Sequence, residues 1–380
     1  MCYTVGNIGG WHHFRRKKGN TKMSFITEQL EKRKLPPLGF EGLSGKEALE
    51  KRRLELVDIL SENIYGRTPD FKGKVSAKET YRHDKCFAGH ARHIHYDLTV
   101  ETPSGDYTFP LFLSCPKSDK KVPLIISIGF DPTTPSGFTP DEEICSKGIA
   151  LAKFCYTDVT DDRYDDFATG IAPMFPREKG AKNLWGKIGM WAWAASRALD
   201  FLLTLDLFDT ERIAVEGHSR LGKTALWCAA QDTRFTYAFS NNAGCSGDAI
   251  TRGKKGEDIE FITRVFGYWF CDRYRDYAGD GINNMPFDQH FLVAACAPRH
   301  VAVGASSLDE WADPESEYLC CAAASPAWEA YGKVGFVAPD DKYSTEGDVF
   351  SDGNISFHNR EGEHSPCLAD WRVYCDFLLK

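Results

Sequence analysis

Three side chains of this 380-residue sequence have the chemistry of a nucleophile relay: Ser219, Asp309 and His364, in that order along the chain. A serine hydroxyl attacks when a neighbouring imidazole takes its proton, and a carboxylate orients that imidazole. Ser219 stands in Glu211-Arg-Ile-Ala-Val-Glu-Gly-His-Ser-Arg-Leu-Gly-Lys-Thr-Ala-Leu-Trp227. There the apolar run Ile213 to Val215 reads as a buried strand, Gly217 permits a sharp turn, and Thr224 to Ala230 continues with helical spacing. Such an elbow exposes Oγ and aims the first N–H groups of the helix at an oxyanion formed beside it. The usual spacing is Gly-x-Ser-x-Gly, whereas here Leu221 delays the second glycine to Gly222. On this window alone, a plain strand-to-helix turn capped by serine competes with the elbow.

The surrounding elements decide between the two. Ser44-Gly-Lys-Glu47 reads as a capping box for a helix through Leu49, Leu56, Val57, Leu60 and Ile64 that ends before Gly66. Residues 92–100 and 107–113 alternate as a hairpin, and 122–128 and 149–156 are the continuous apolar runs of strands covered on both faces. The acidic stretch from Thr157 to Gly180 is long for a connection and suits the lining of a site. Beyond it come a helix over 185–203, the elbow, a strand over 235–240, an irregular insertion near 248–288, helical 291–297 and a strand over 300–304. Asp309 follows that strand. A helix over 315–331 is expected to bend or end at Pro326. His364 directly follows the last strand, 354–359, and a helix over 370–379 closes the chain. Serine, acid and histidine after successive strands is the order of an α/β-hydrolase, a mostly parallel twisted sheet with helices on both faces. Glu310 and Asp313 are neighbouring alternatives for the acid.

A net charge of −8 and a pI of about 5.8 give no electrostatic footprint for nucleic acid, and the basic cluster Arg15 to Lys18 reads as a solvated tail. No apolar run reaches the roughly 18 residues of a membrane span. Residues 1–22 lack the apolar core of a secretory signal, and Met23 is a second possible start. The expectation is a cytoplasmic protein, with export left open. Thirteen cysteines without CxxC spacing, including the adjacent Cys320 and Cys321, read as mostly reduced core thiols. His93 and His95 share a strand face and read as packing rather than metal ligation. No cofactor or metal is expected. Residues 1–40 read as a mobile N-terminal segment and 41–380 as one catalytic domain.

Gly217-His-Ser-Arg-Leu-Gly-Lys223 resembles the Gly-Cys-Ser-Arg-x-Gly-Lys signature of glucuronoyl methylesterases, carbohydrate esterases that cleave esters between lignin alcohols and the 4-O-methyl-glucuronate branches of xylan. The likeness continues in order through Asn241-Asn-Ala-Gly-Cys-Ser-Gly247, Gly256-Glu257, Phe287-Asp-Gln-His290, Ala297-Pro-Arg299, Asp309-Glu-Trp-Ala-Asp-Pro314 and Gly362-Glu-His364. It covers roughly residues 90 to 380 and is that of bacterial members. The resemblance implies Ser219 as nucleophile, His364 as base, Arg220 as oxyanion support, Lys223 and Glu257 as holders of sugar hydroxyls, and Trp311 as a flank of the glucuronate ring. One family arrangement places its acid as a Glu where this chain has Asn242. The other, an Asp after a later strand, fits Asp309. His218 replaces the signature Cys, so a bridge from that position to the loop of the catalytic histidine is impossible here.

The sequence therefore implies a serine carboxyl-ester hydrolase acting on esters of (4-O-methyl-)glucuronate, carried by small molecules or oligosaccharides, through a glucuronoyl-enzyme. The alternatives are another carbohydrate carboxylesterase such as a sugar deacetylase, or a non-catalytic carbohydrate-binding relative.

Overall fold

The computed structural model describes residues 24–380 apart from 72, 132, 135, 340 and 341; the basic cluster Arg15 to Lys18 and Met23 lie outside the described residues. The elements are α1 (Phe25–Arg33), α2 (Lys46–Leu60), β1 (Val75–Cys86), β2 (Ala91–Thr102), β3 (Gly105–Pro116), β4 (Val122–Gly129), α3 (Asp141–Ser146), β5 (Ala150–Cys155), α4 (Lys187–Leu203), β6 (Phe208–His218), α5 (Arg220–Gln231), β7 (Tyr237–Asn241), α6 (Ile259–Val265), α7 (His290–Ala294), β8 (His300–Ser306), α8 (Pro314–Ala330), β9 (Val349–Phe350), β10 (Ile355–Arg360) and α9 (Leu368–Leu379). Among the described residues ten strands make one sheet in the order β1-β2-β3-β5-β4-β6-β7-β8-β10-β9. The strands from β5 to β10 in that order run parallel, and antiparallel pairs lie at both edges.

Every residue of β4 and β5 is buried, as continuous apolar runs require when helices cover both faces. Along β4 the side chains alternate. Leu124, Ile126 and Ile128 join the larger core, with residues of α2, α4, α5, α7 and α8. Ile125 faces the other way, into a smaller core with Ile144 of α3 and Trp371, Phe377 and Leu378 of α9. No described helix is long and apolar enough to cross a membrane.

Several local expectations are corrected. The N-cap of α2 is Gly45, at φ 85°, with no side-chain cap, so Ser44 and Glu47 do not form a capping box. The helix then widens into one π turn, Ser61–Tyr65, and stops at Gly66. A Cβ on Gly66 would fall 2.3 Å from the Leu184 carbonyl, so the close crossing demands glycine. Helix α8 runs through Pro326 to Ala330. Its last turn is held from outside, by the buried Trp328 indole donating to Arg299 O at 2.7 Å. Of residues 1–40 the structure describes 24–40, in which α1 is capped by Ser24 and Arg33 donates to Arg252 O (3.0 Å) and Ser316 Oγ (2.8 Å).

The His93 and His95 imidazoles hydrogen-bond each other through their Nε2 atoms at 2.9 Å, and His93 Nδ1 pairs with Ser114 Oγ. Beside them the buried Lys153 ammonium pairs with Asp141 at 2.8 Å and donates to Thr133 O, Thr134 Oγ1 and Thr139 Oγ1. This network anchors the loop after β4, which brings Phe130 to the mouth of the site described next. The twelve described cysteines are all free thiols, ten of them buried.

Candidate active site

Ser219 sits between β6 and α5 at φ 58°, ψ −124°, a conformation that costs an L-residue energy and places it on a sharp turn. Two glycines make room for that turn. A Cβ on Gly217 would lie 2.1 Å from Leu221 O, and one on Gly222 would lie 2.9 Å from Ser240 Oγ and 3.0 Å from Gly217 O. The later glycine thus serves the contact between the first turn of α5 and the end of β7. Ser219 N donates to Asn241 O at 2.8 Å, and the N–H groups of Gly222 and Lys223 turn back to Ser219 O. Those of Arg220 and Leu221 lie in the opening turn, where a helix supplies no acceptor of its own.

His364 Nε2 lies 2.9 Å from Ser219 Oγ, and its Nδ1 lies 2.6 Å from Asp309 Oδ2. The acid arrives from the end of β8 and the imidazole from the end of β10, neighbouring parallel strands. Their pairing continues beyond the strands, with Ser307 N donating to Arg360 O at 2.8 Å and Leu308 N to Gly362 O at 3.0 Å. Burial pushes the Asp309 carboxyl up. Hydrogen bonds and charge from His364, and donors on Asn242 (2.9 Å) and Ala312 N (3.1 Å), outweigh it and hold the acid below its ordinary range. The neighbouring carboxylates are elsewhere: Glu310 is exposed, and Asp313 caps α8 while accepting from Lys255 N and Ser316 Oγ.

His218 is buried behind this relay, its ring centroid 4.6 Å from that of His364. Its Nδ1 donates to Asn241 Oδ1 at 2.7 Å, because the Asn241 amide nitrogen is turned to Tyr374 OH. Burial, then the nearness of His364, pushes His218 down to about 4, so the ring is neutral near pH 7.

The Arg220 guanidinium is clamped across the mouth of the elbow. It pairs with the Asp162 carboxylate and lies 4.8 Å from the Trp269 ring centroid, with Phe130 and Phe266 on its flanks. Asp162 also accepts from Trp269 Nε1 (2.7 Å), Tyr156 OH (3.0 Å) and Tyr268 OH (3.2 Å). Neither Asp162 nor Trp269 stood out in the sequence. The signal was the acidic stretch after β5, too long for a connection; it does not line the cleft itself but reaches it through Asp162, the partner of Arg220.

Lys223, Glu257 and Trp311 gather on the opposite wall. The Lys223 ammonium is buried, donates to Ala243 O and lies 4.0 Å from the Glu257 carboxylate. Glu257 N donates to Trp311 O at 3.1 Å, and Gly256 has no room for a Cβ against Trp311 Cα, 2.6 Å away. Trp311 is 48% exposed and meets Phe261 edge-on. All seven residues singled out in the sequence are present: six line or enclose one cleft of about 370 Å³, and Asp309 lies just behind His364.

A mostly parallel sheet with a serine elbow, a histidine and an acid at its strand ends defines a serine hydrolase of the α/β-hydrolase fold. Residues 98–332 match the family model described as "Glucuronyl esterase, fungi", and the chain belongs to the glucuronoyl esterase family. Among curated proteins it is similar to carbohydrate esterase MZ0003 of an unknown prokaryotic organism, 36% identical over 239 residues, or 62% of this chain and 54% of that one. It is 32% identical over 162 residues to the 4-O-methyl-glucuronoyl methylesterase of Hypocrea jecorina, covering 40% of this chain and 35% of that one. The solved glucuronoyl esterase of Solibacter usitatus superposes with a TM-score of 0.79 at 29% identity, over 91% of this chain and 97% of that one. The chain thus spans about half or less of the length of these curated relatives.

Proposed function

We propose that this chain is a serine carboxyl-ester hydrolase that cleaves esters of (4-O-methyl-)glucuronate. The observation that carries the proposal is the continuous relay Ser219 Oγ, His364, Asp309, opening into the cleft that also holds Arg220, Lys223, Glu257 and Trp311. The substrate class is supported by the family and by the activity named for the Hypocrea jecorina relative.

His364 takes the Ser219 proton as Oγ attacks the uronate carbonyl, while Asp309 orients the imidazole and stabilises its charge. Arg220 and the opening N–H groups of α5 face the developing oxyanion. Collapse of the tetrahedral adduct expels the alcohol, protonated by His364, and leaves a glucuronoyl ester on Ser219. Water, deprotonated by the same imidazole, then attacks that ester, and its collapse returns the proton to Ser219 and releases glucuronate. Lys223 and Glu257 hold sugar hydroxyls, and Trp311 covers one face of the ring.

The test compares benzyl glucuronate with p-nitrophenyl acetate. Preference for the glucuronate, abolished in Ser219→Ala, is the expected result; preference for the acetate would assign the site to a deacetylase instead.

A further inference from the structure

A second cavity, of about 440 Å³, lies on the far side of the segment that walls the cleft. Phe261, Phe266 and Trp269 face the cleft, whereas Arg264, Gly267 and Tyr268, interleaved with them in the chain, face the second cavity. The partition is therefore a single thickness of chain, about 10 Å across.

Three guanidiniums from separate parts of the chain, Arg177, Arg264 and Arg275, line this cavity against one carboxylate, Asp272. That excess of positive charge stands out in a chain of net charge −8. Arg177 is engaged, lying 3.6 Å over the Phe167 ring and donating to Trp185 O. Arg264 lies 5.7 Å over the Phe261 ring, and neither it nor Arg275 has an ion-pair partner or a side-chain hydrogen bond among the described residues. Arg275 lies against Gly267, where a Cβ would come within 2.8 Å of its guanidinium, so glycine there leaves the cation its space. Tyr164, 77% exposed, stands at the same cavity with Tyr268. Unpaired guanidiniums bind carboxylates through paired N–H groups, and exposed aromatic rings cover the C–H faces of sugars.

We propose that this cavity is a second binding site, for a free uronate carried by the same oligosaccharide whose esterified uronate occupies the cleft. The inference rests on the proposed esterase reading and deepens it: the substrate is an acidic, multiply branched saccharide rather than a single uronate ester. Tyr268 links the two sites, since its hydroxyl donates to Asp162, the partner of Arg220.

The experiment uses the full chain and the double variant Arg264→Gln/Arg275→Gln, both exposed positions. Calorimetric titration with glucuronoxylan oligosaccharides bearing free carboxylates is expected to show about tenfold weaker binding by the variant, the size of one lost charge-assisted contact. Carboxyl-reduced oligosaccharides should bind both proteins equally, and turnover of benzyl glucuronate should be unchanged. Equal affinity of the two proteins for the acidic oligosaccharide, or an equal loss with the reduced one, would overturn the second site. Failure of the unmutated protein to hydrolyse benzyl glucuronate would instead defeat the esterase reading, and the titration would still decide the cavity.

Discussion

The imidazole of His218 packs against that of His364 with 4.6 Å between ring centroids, at the position where the family signature has a cysteine. The contact braces His364 by packing, and the hydrogen bond to Asn241 fixes the brace in turn. His218→Ala should open a void beneath the base and lower kcat about tenfold with little change in KM, whereas His218→Phe should retain most of the rate. Steady-state kinetics on benzyl glucuronate decide it: an alanine variant with wild-type kcat would remove the brace from the mechanism. Because the folded pKa is depressed, the neutral ring costs no stability above the ordinary imidazole range of about 6.5, and stability falls as pH drops from there toward 4.

Asp309 and Asn242 touch, with the Asn242 amide 2.9 Å from Asp309 Oδ2. Asp309→Asn is expected to lower kcat by at least a hundredfold, in the range of acid removal from such relays. Adding Asn242→Glu to that variant returns a carboxylate to the neighbourhood of His364 and should recover part of the loss. In the unmutated background the same Glu sets two carboxylates side by side and should destabilise the fold in a denaturant titration.

Arg220 is held by Asp162 and Trp269 rather than left in solvent. Lysine cannot reproduce the planar stack, so Arg220→Lys should lower kcat by about a hundredfold, as expected for an oxyanion donor, with KM little changed. An effect confined to KM would reassign the guanidinium to ground-state binding.

Glu216 is buried on β6 beside Ser127, and burial raises its pKa to about 8. A carboxyl group raised in this way is protonated in the folded chain and ionised in the unfolded one between pH 4.5 and about 8, so stability declines with rising pH across that window. Glu216→Gln removes the titration while keeping the shape and the polar contact. It should add about 3 kcal/mol at pH 7, an order-of-magnitude figure from the size of the shift, and nothing at pH 4. Urea denaturation at the two pH values reads the difference directly.

Apolar pattern and residue order made the middle of this molecule legible. The runs at β4 and β5, the elbow at Ser219 and the placement of Asp309 and His364 after successive strands all carry signals that packing imposes on sequence. Strand β1 escaped because almost all of its residues are solvent-exposed, so it has neither the alternation of a half-buried strand nor the run of a buried one. Pro326 misled because packing of Trp328 outweighs the hydrogen bond that proline removes. Asp162 was hidden for a different reason. It works through contacts with Arg220, Trp269 and Tyr268, far from it in the chain, and no local spacing encodes such a meeting.

The backbone rungs that join Ser307 to Arg360 and Leu308 to Gly362 carry a kinematic consequence. They rivet the loop of Asp309 to the loop of His364, while Ser219 rides on a different strand and its own helix. The Asp309–His364 spacing is thus set by backbone pairing of neighbouring strands, whereas the His364–Ser219 spacing rests on side-chain packing, His218 against His364, between strands that do not pair with each other, which makes it the softer joint of the relay.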